Sequence, residues 1–91
     1  MTRTDWLELG RSYYYNFTEN DLERVMTVIK YVLTSYVKGE KISAYNIEYR
    51  MKRDGFKVLS SYCMKAFSLL SHTTLIDYSY DEKYSYLKQV A

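Results

Sequence analysis

Residues 18–36 place the strongest constraint on this chain. Leu22, Val25, Met26, Ile29, Val32, Leu33 and Tyr36 recur at steps of three and four, so on a helix they form one apolar stripe. "TEND" supplies the start, with the Thr18 hydroxyl at the N-cap and a carboxylate at Asp21 three residues later. Glu19, Asp21 and Glu23 put negative charge in the first turn, where the helix dipole favours it. Lys38 and Gly39 in "VKGE" predict the stop. A helix with such a stripe has to bury it, and the rest of the 91 residues must furnish the cover.

Two further helices are predicted downstream. One starts at Ser43 and carries Ala44, Ile47 and Met51 inward; Ile42 and Ile47 have the spacing of a hydrophobic staple, and Gly55 ends it. Its outward side holds Arg50 and Arg53, with Lys52 nearby. The other is "LSSYCMKAFSLL", capped by Ser60 with Leu59 and Met64 as staple. At about 100° per residue, Cys63, Phe67 and Leu70 form its core side. Ser61, Lys65, Ser68 and His72 lie opposite, flanked by Tyr62 and Leu69. After His72 the period changes to two. "TLIDYSYDEKYSYLKQV" reads as a hairpin turning at "DEK", with Tyr80 opposite Tyr84 and Tyr78 opposite Tyr86 as an aromatic ladder that Ile76 continues. That loop holds neither Gly nor Asn, so its length is weakly specified. In residues 1–18, "DWLEL" reads as a helical turn and "SYYYNF" as a short extended run, separated by Gly10.

Composition fits one intracellular, cytoplasmic domain. Hydrophobic residues are 47% and charged residues 26%, within the globular range. No apolar run approaches a membrane span, and "MTRTDWLELGRS" has no signal-peptide core. One Cys allows no intrachain disulfide. The net charge of +2 says little, but its distribution says more. Residues 38–67 carry seven basic side chains against three acidic ones, while the segments on either side are each net −1. The 12 Tyr and absence of Pro are unusual, and Tyr serves either half-buried packing or contact with a partner.

Three helices and a hairpin, with a short Gly-containing turn "DGFKVL" between helices two and three, resemble the winged helix-turn-helix superfamily of DNA-binding proteins, in its small archaeal or archaeal-virus type. The resemblance covers residues 20–90 and is carried by "YRMKRDG", by "SSYCMKAFSLL" with its Cys63, Phe67, Leu70 triplet, by "SHTTLIDY" and by the hairpin. It implies an α+β fold: three helices followed by a two-stranded β-hairpin wing, with residues 1–18 as an N-terminal extension and 19–91 as the winged-helix domain. It also implies binding of double-stranded DNA by the third helix, as a small transcriptional regulator (in the host cell if viral). The sequence departs from the family in two places. Thr73 or Thr74 stands where members have Gly, and the wing tip is acidic at Asp81 and Glu82 with only Lys83 as a cation.

On that reading Ser61, Tyr62 and Lys65 contact the groove, and Arg50, Lys52, Arg53, Lys57 and Lys83 contact phosphates, since Lys, Ser and Tyr side chains can donate to bases or phosphates. The aromatics of residues 1–18 need burial and could cover the domain's own core or pair with a second copy; the second use, as a homodimer, is the expectation. The alternative is a winged-helix protein-interaction adaptor or assembly subunit that binds no DNA. No enzyme is expected: Cys63 and His72 fall about 180° apart on one helix, and no Gly-rich phosphate loop is present. One Cys and one His do not make a zinc site, and no metal, cofactor or membrane partner is expected.

Overall fold

The computed structural model describes residues 1–73, 76–79 and 84–87. Four helices account for most of it: α1 (Arg3–Tyr13), α2 (Glu19–Ser35), α3 (Ala44–Arg53) and α4 (Ser60–Ser71). Three short strands, β1 (Lys41–Ile42), β2 (Ile76–Ser79) and β3 (Tyr84–Leu87), pair antiparallel in the order β1–β3–β2.

The expected architecture, three helices closed by a two-stranded wing behind an N-terminal extension, is not the one observed. Helix dominates, and the segment assigned to an extension is itself the first helix. Thr2 and Asp5 form a full capping box at its start, each accepting the other's backbone N–H. Trp6 and Phe17 are buried in the same core as α2, α3 and α4. "SYYYNF" is not an extended run: α1 continues to Tyr13, and Asn16 turns the chain at φ 60°. Nor does a separate two-stranded wing form, because β3 lies between β2 and β1, the short strand before α3. The register differs too. Tyr78 lies opposite Ser85 and Asp77 opposite Tyr86, one residue away from the predicted Tyr ladder. A loop lacking Gly or Asn left that register unspecified. The turn at residues 81–83 and Lys83 lie outside the described residues.

α2 begins as its sequence predicts, with the Thr18–Asp21 capping box. It ends at Ser35, short of "VKGE". Gly39, at φ 89°, belongs to the turn beyond. Leu22, Val25, Val28, Ile29, Tyr31 and Val32 are buried. They pack against Cys63, Ala66, Leu69 and Leu70 of α4 and against Ile47 and Met51 of α3. α4 is rotated relative to its predicted facing: Leu69 is fully buried and Phe67 only half-buried. Its N-cap is Leu59, which has no capping side chain, and Met64 is 62% exposed, so no staple forms. Among the described residues no helix is long and apolar enough to cross a membrane.

Gly10 is buried in mid-helix because the Phe17 ring occupies the space where a Cβ would stand. Gly→Ala in a helix ordinarily gains about 1 kcal/mol. Here the overlap reverses the sign, and Gly10→Ala is expected to lower the unfolding free energy by about 1–3 kcal/mol in urea titration. A stabilised variant would show that Phe17 does not pack against Gly10.

Candidate nucleic-acid interface

The basic middle third of the chain folds as α3, a turn and the start of α4. Ser43 caps α3 by accepting the Asn46 N–H at 3.0 Å, and Ile47 and Met51 fix its inner face. The opposite face therefore presents Tyr45, 81% exposed, and Tyr49, 63% exposed, together with Lys52 and Arg53. Gly55, at φ 92°, reverses the chain, and the Phe56 N–H returns to the Met51 carbonyl at 2.9 Å. Lys57 follows on the exposed turn. The first turn of α4 then brings Ser60 and Met64 beside Tyr45 and Glu48, with all four lining one shallow hollow. The Ser60 hydroxyl donates to the Glu48 carboxylate. Outer α3 and early α4 thus make one continuous surface.

The predicted phosphate contacts divide. Arg50 is turned inward. It donates to Glu40 Oε2 at 2.9 Å and to the Ser35 carbonyl at 3.1 Å, and its guanidinium stacks 3.8 Å from the centre of the Tyr36 ring. Tyr36 in turn donates to Asn46, and burial pushes its hydroxyl up to about 12. Arg50 therefore fastens α2 to α3 and is not available to phosphate. Lys52 and Arg53 remain more than half exposed. Lys52 lies 3.6 Å from Glu48, and Arg53 donates to Asp54 Oδ1 at 3.2 Å. Lys57 has no ion-pair partner among the described residues.

The predicted groove contacts divide as well. Ser61 is exposed. Tyr62 instead points toward the start of α2, where its hydroxyl donates to Asp21 Oδ1 at 3.1 Å. Lys65 lies on the same side, its ammonium 5.6 Å from the centres of both the Tyr62 and Tyr14 rings. The outward strip of α4 is therefore Ser61, Met64, Ser68 and Ser71, and the whole helix contains no carboxylate. Tyr45 and Tyr49 were not among the sequence-based site residues. Their signal was available, since both lie opposite Ile47 and Met51 at helical spacing. Burial pushes the Cys63 thiol up to about 11, away from nucleophilic use at neutral pH. His72 stacks on Tyr13 with ring centres 3.8 Å apart. Among the described residues no group of His, Cys, Asp and Glu is placed to hold a metal. Compared with known proteins, the chain matches no protein-family model, no curated protein and no solved structure.

Two expectations follow. Arg50→Ala should cost about 1–3 kcal/mol of stability, since it strands Glu40 and the Ser35 carbonyl, while Lys52→Ala should stay within about 0.5 kcal/mol. Equal values would mean that Arg50 does not fasten the helices. The second concerns acid. The Thr18 backbone N–H, then the Thr18 and Tyr62 hydroxyls, hold Asp21 below the usual 3.8. The Tyr31 hydroxyl and Arg53 do the same for Asp54, and the Val37 N–H and Arg50 for Glu40. Folded carboxylates with lowered values stabilise fully above their unfolded values, and that stability is lost as pH falls through the folded ones. Urea titrations should therefore show stability draining below about pH 4, and less steeply in Tyr62→Phe.

Proposed function

We propose that this protein binds double-stranded DNA through the outer face of α3 and the adjoining strip of α4, as a small transcriptional regulator. The observation that carries this reading is the chemistry of α4's outer strip and its border. Ser61, Ser68 and Ser71 are short hydrogen-bonding side chains on a helix with no carboxylate of its own, and the neighbouring Glu48 carboxylate is already engaged by Ser60 and Lys52. Lys52, Arg53 and Lys57 are exposed on α3 and on the turn that leads into α4. Phosphate contacts supply most of the affinity for a duplex, and short polar groups permit close approach to base edges. Tyr45 and Tyr49 add exposed hydroxyls on the same face. The reading rests on this surface and not on a wing.

Action as a dimer belongs to the proposal as the usual way of pairing half-sites about 34 Å apart. Within residues 1–18, Trp6 and Phe17 are already buried in their own domain, which leaves Tyr15, 96% exposed, as the aromatic most open to a second copy.

A second reading is supported by a different observation. Leu59 is 65% exposed and Met64 62%, and Met64 shares a hollow with Tyr45. Apolar side chains open to water at the start of α4 suit contact with another protein.

Salt dependence separates the two. Duplex affinity should fall with salt by roughly 0.9 log unit per log unit for each phosphate contacted. Lys52→Ala and Lys57→Ala should each reduce that slope by about one contact's worth and weaken all duplexes alike, while Ser61→Ala should weaken preferred sequences more than random ones. Absence of duplex binding at low salt would overturn the DNA reading and leave the protein-contact reading, for which Leu59→Ser and Met64→Ser are the informative variants.

A further inference from the structure

A second feature lies on the other side of the α3–α4 turn. A groove of about 240 Å³ opens between α2 and this turn. Its apolar lining is Phe56, Val58 and Leu59 over the buried Met51, and Tyr62 borders it from α4. Its rim carries two cations, Arg24 of α2 and Lys57 of the turn. We infer that this groove binds a small carboxylic acid with an apolar body of about one ring.

The charges argue for an anion. The carboxylates nearest Arg24 in sequence are already committed. Glu23 pairs with Arg3 at 2.8 Å. Asp21, the carboxylate nearest the groove, is taken up by Thr18 and by the Tyr62 hydroxyl. Neither Arg24 nor Lys57 has an ion-pair partner among the described residues. A ligand carboxylate at this rim would accept charge-assisted hydrogen bonds from these cations. The Asn20 amide on the same rim adds a neutral donor.

The floor argues against a bare inorganic anion. Phe56, 42% exposed, and Leu59, 65% exposed, offer apolar surface to the groove above the buried Met51, and Phe56 packs against Tyr31 with ring centres 5.3 Å apart. The Phe56 N–H bond to the Met51 carbonyl pins the turn, so the groove is formed in advance. Ligand pockets commonly measure roughly 300–1,000 Å³, so a cavity of about 240 Å³ suits a single ring or a short branched chain rather than a nucleotide.

The test needs no nucleic acid, so its failure is separable from failure of the DNA reading. Phenylacetate, its uncharged analogue phenylacetamide, and inorganic phosphate are titrated into the protein while the Met51 methyl and Phe56 ring signals are followed by NMR. Phenylacetate should shift both saturably in the millimolar range or below. Phenylacetamide should bind about tenfold more weakly, the loss expected when charge-assisted hydrogen bonds are removed. Phosphate should leave the Met51 methyl unmoved. Arg24→Gln and Lys57→Gln, both at exposed positions, should each weaken phenylacetate several-fold without changing thermal unfolding. The inference is overturned if Met51 and Phe56 do not shift saturably, if acid and amide bind alike, if phosphate matches phenylacetate at Met51, or if both variants bind as the parent does.

Discussion

The fold depends on burial of α4 against α2. Leu22, Val25, Val28, Ile29 and Val32 are essentially inaccessible to water, and so are Cys63, Ala66, Leu69 and Leu70 opposite them. Each fully buried aliphatic side chain contributes roughly 1.5–3 kcal/mol, and the buried side chains among the described residues form a single cluster, so a loss here has no second core behind it. The other elements extend this contact. α3 closes one flank with Ile47 and Met51, and α1 closes another with Trp6. Phe17 fills the corner between α1 and α2 and requires Gly10 to make room.

Polar fastenings sit at the ends of this contact, and they decide which charges are left for other uses. Tyr36, Asn46, Arg50 and Glu40 join the end of α2 to α3. Tyr31 reaches Asp54 at the end of α3 at 2.6 Å, and Tyr62 reaches Asp21 at the start of α2. Three of the 12 tyrosines are explained here. The ring packs against the core or its edge while the hydroxyl ties one helix to a carboxylate or amide on another. Arg50, Tyr62 and Lys65 are drawn inward by these arrangements. Lys52, Arg53, Lys57, Tyr45 and Tyr49 are not, and they define the outer surface.

Local signals were legible and long-range ones were not. The Thr18 box and the apolar stripe of α2 are readable because both are contained within one helix. The start of α1 carries an equivalent box at Thr2 and Asp5, but Gly10 reads as a break and the run of tyrosines as an extended segment, and the role of Gly10 depends on Phe17 folding back over it. The spacing of α4 identified a core side, yet burial on two flanks, by α2 and α3, brought Leu69 in and left Phe67 at the edge. Tyr62 meets Asp21 from 41 residues away, and Arg50 meets Ser35 from 15. No spacing rule within a helix predicts partners at those separations. The strand register failed for a related reason: a turn without Gly or Asn does not set its own length.

The same separation bears on function. Residues named for DNA contact from charge, helical phase and the family resemblance include three that the fold uses internally. The tyrosines of α3, Tyr45 and Tyr49, which the same phase places outward, are not among those named. What distinguishes the two sets is the presence of a carboxylate or ring within reach on another element, and that is a tertiary property. Among the described residues Lys52 and Arg53 pair only with carboxylates beside them on their own helix and its cap, so both stay more than half exposed next to a helix that has no carboxylate of its own. The DNA reading rests on them and on Lys57, while Arg24 and Lys57, without ion-pair partners among the described residues, border the groove beside Phe56 and Val58.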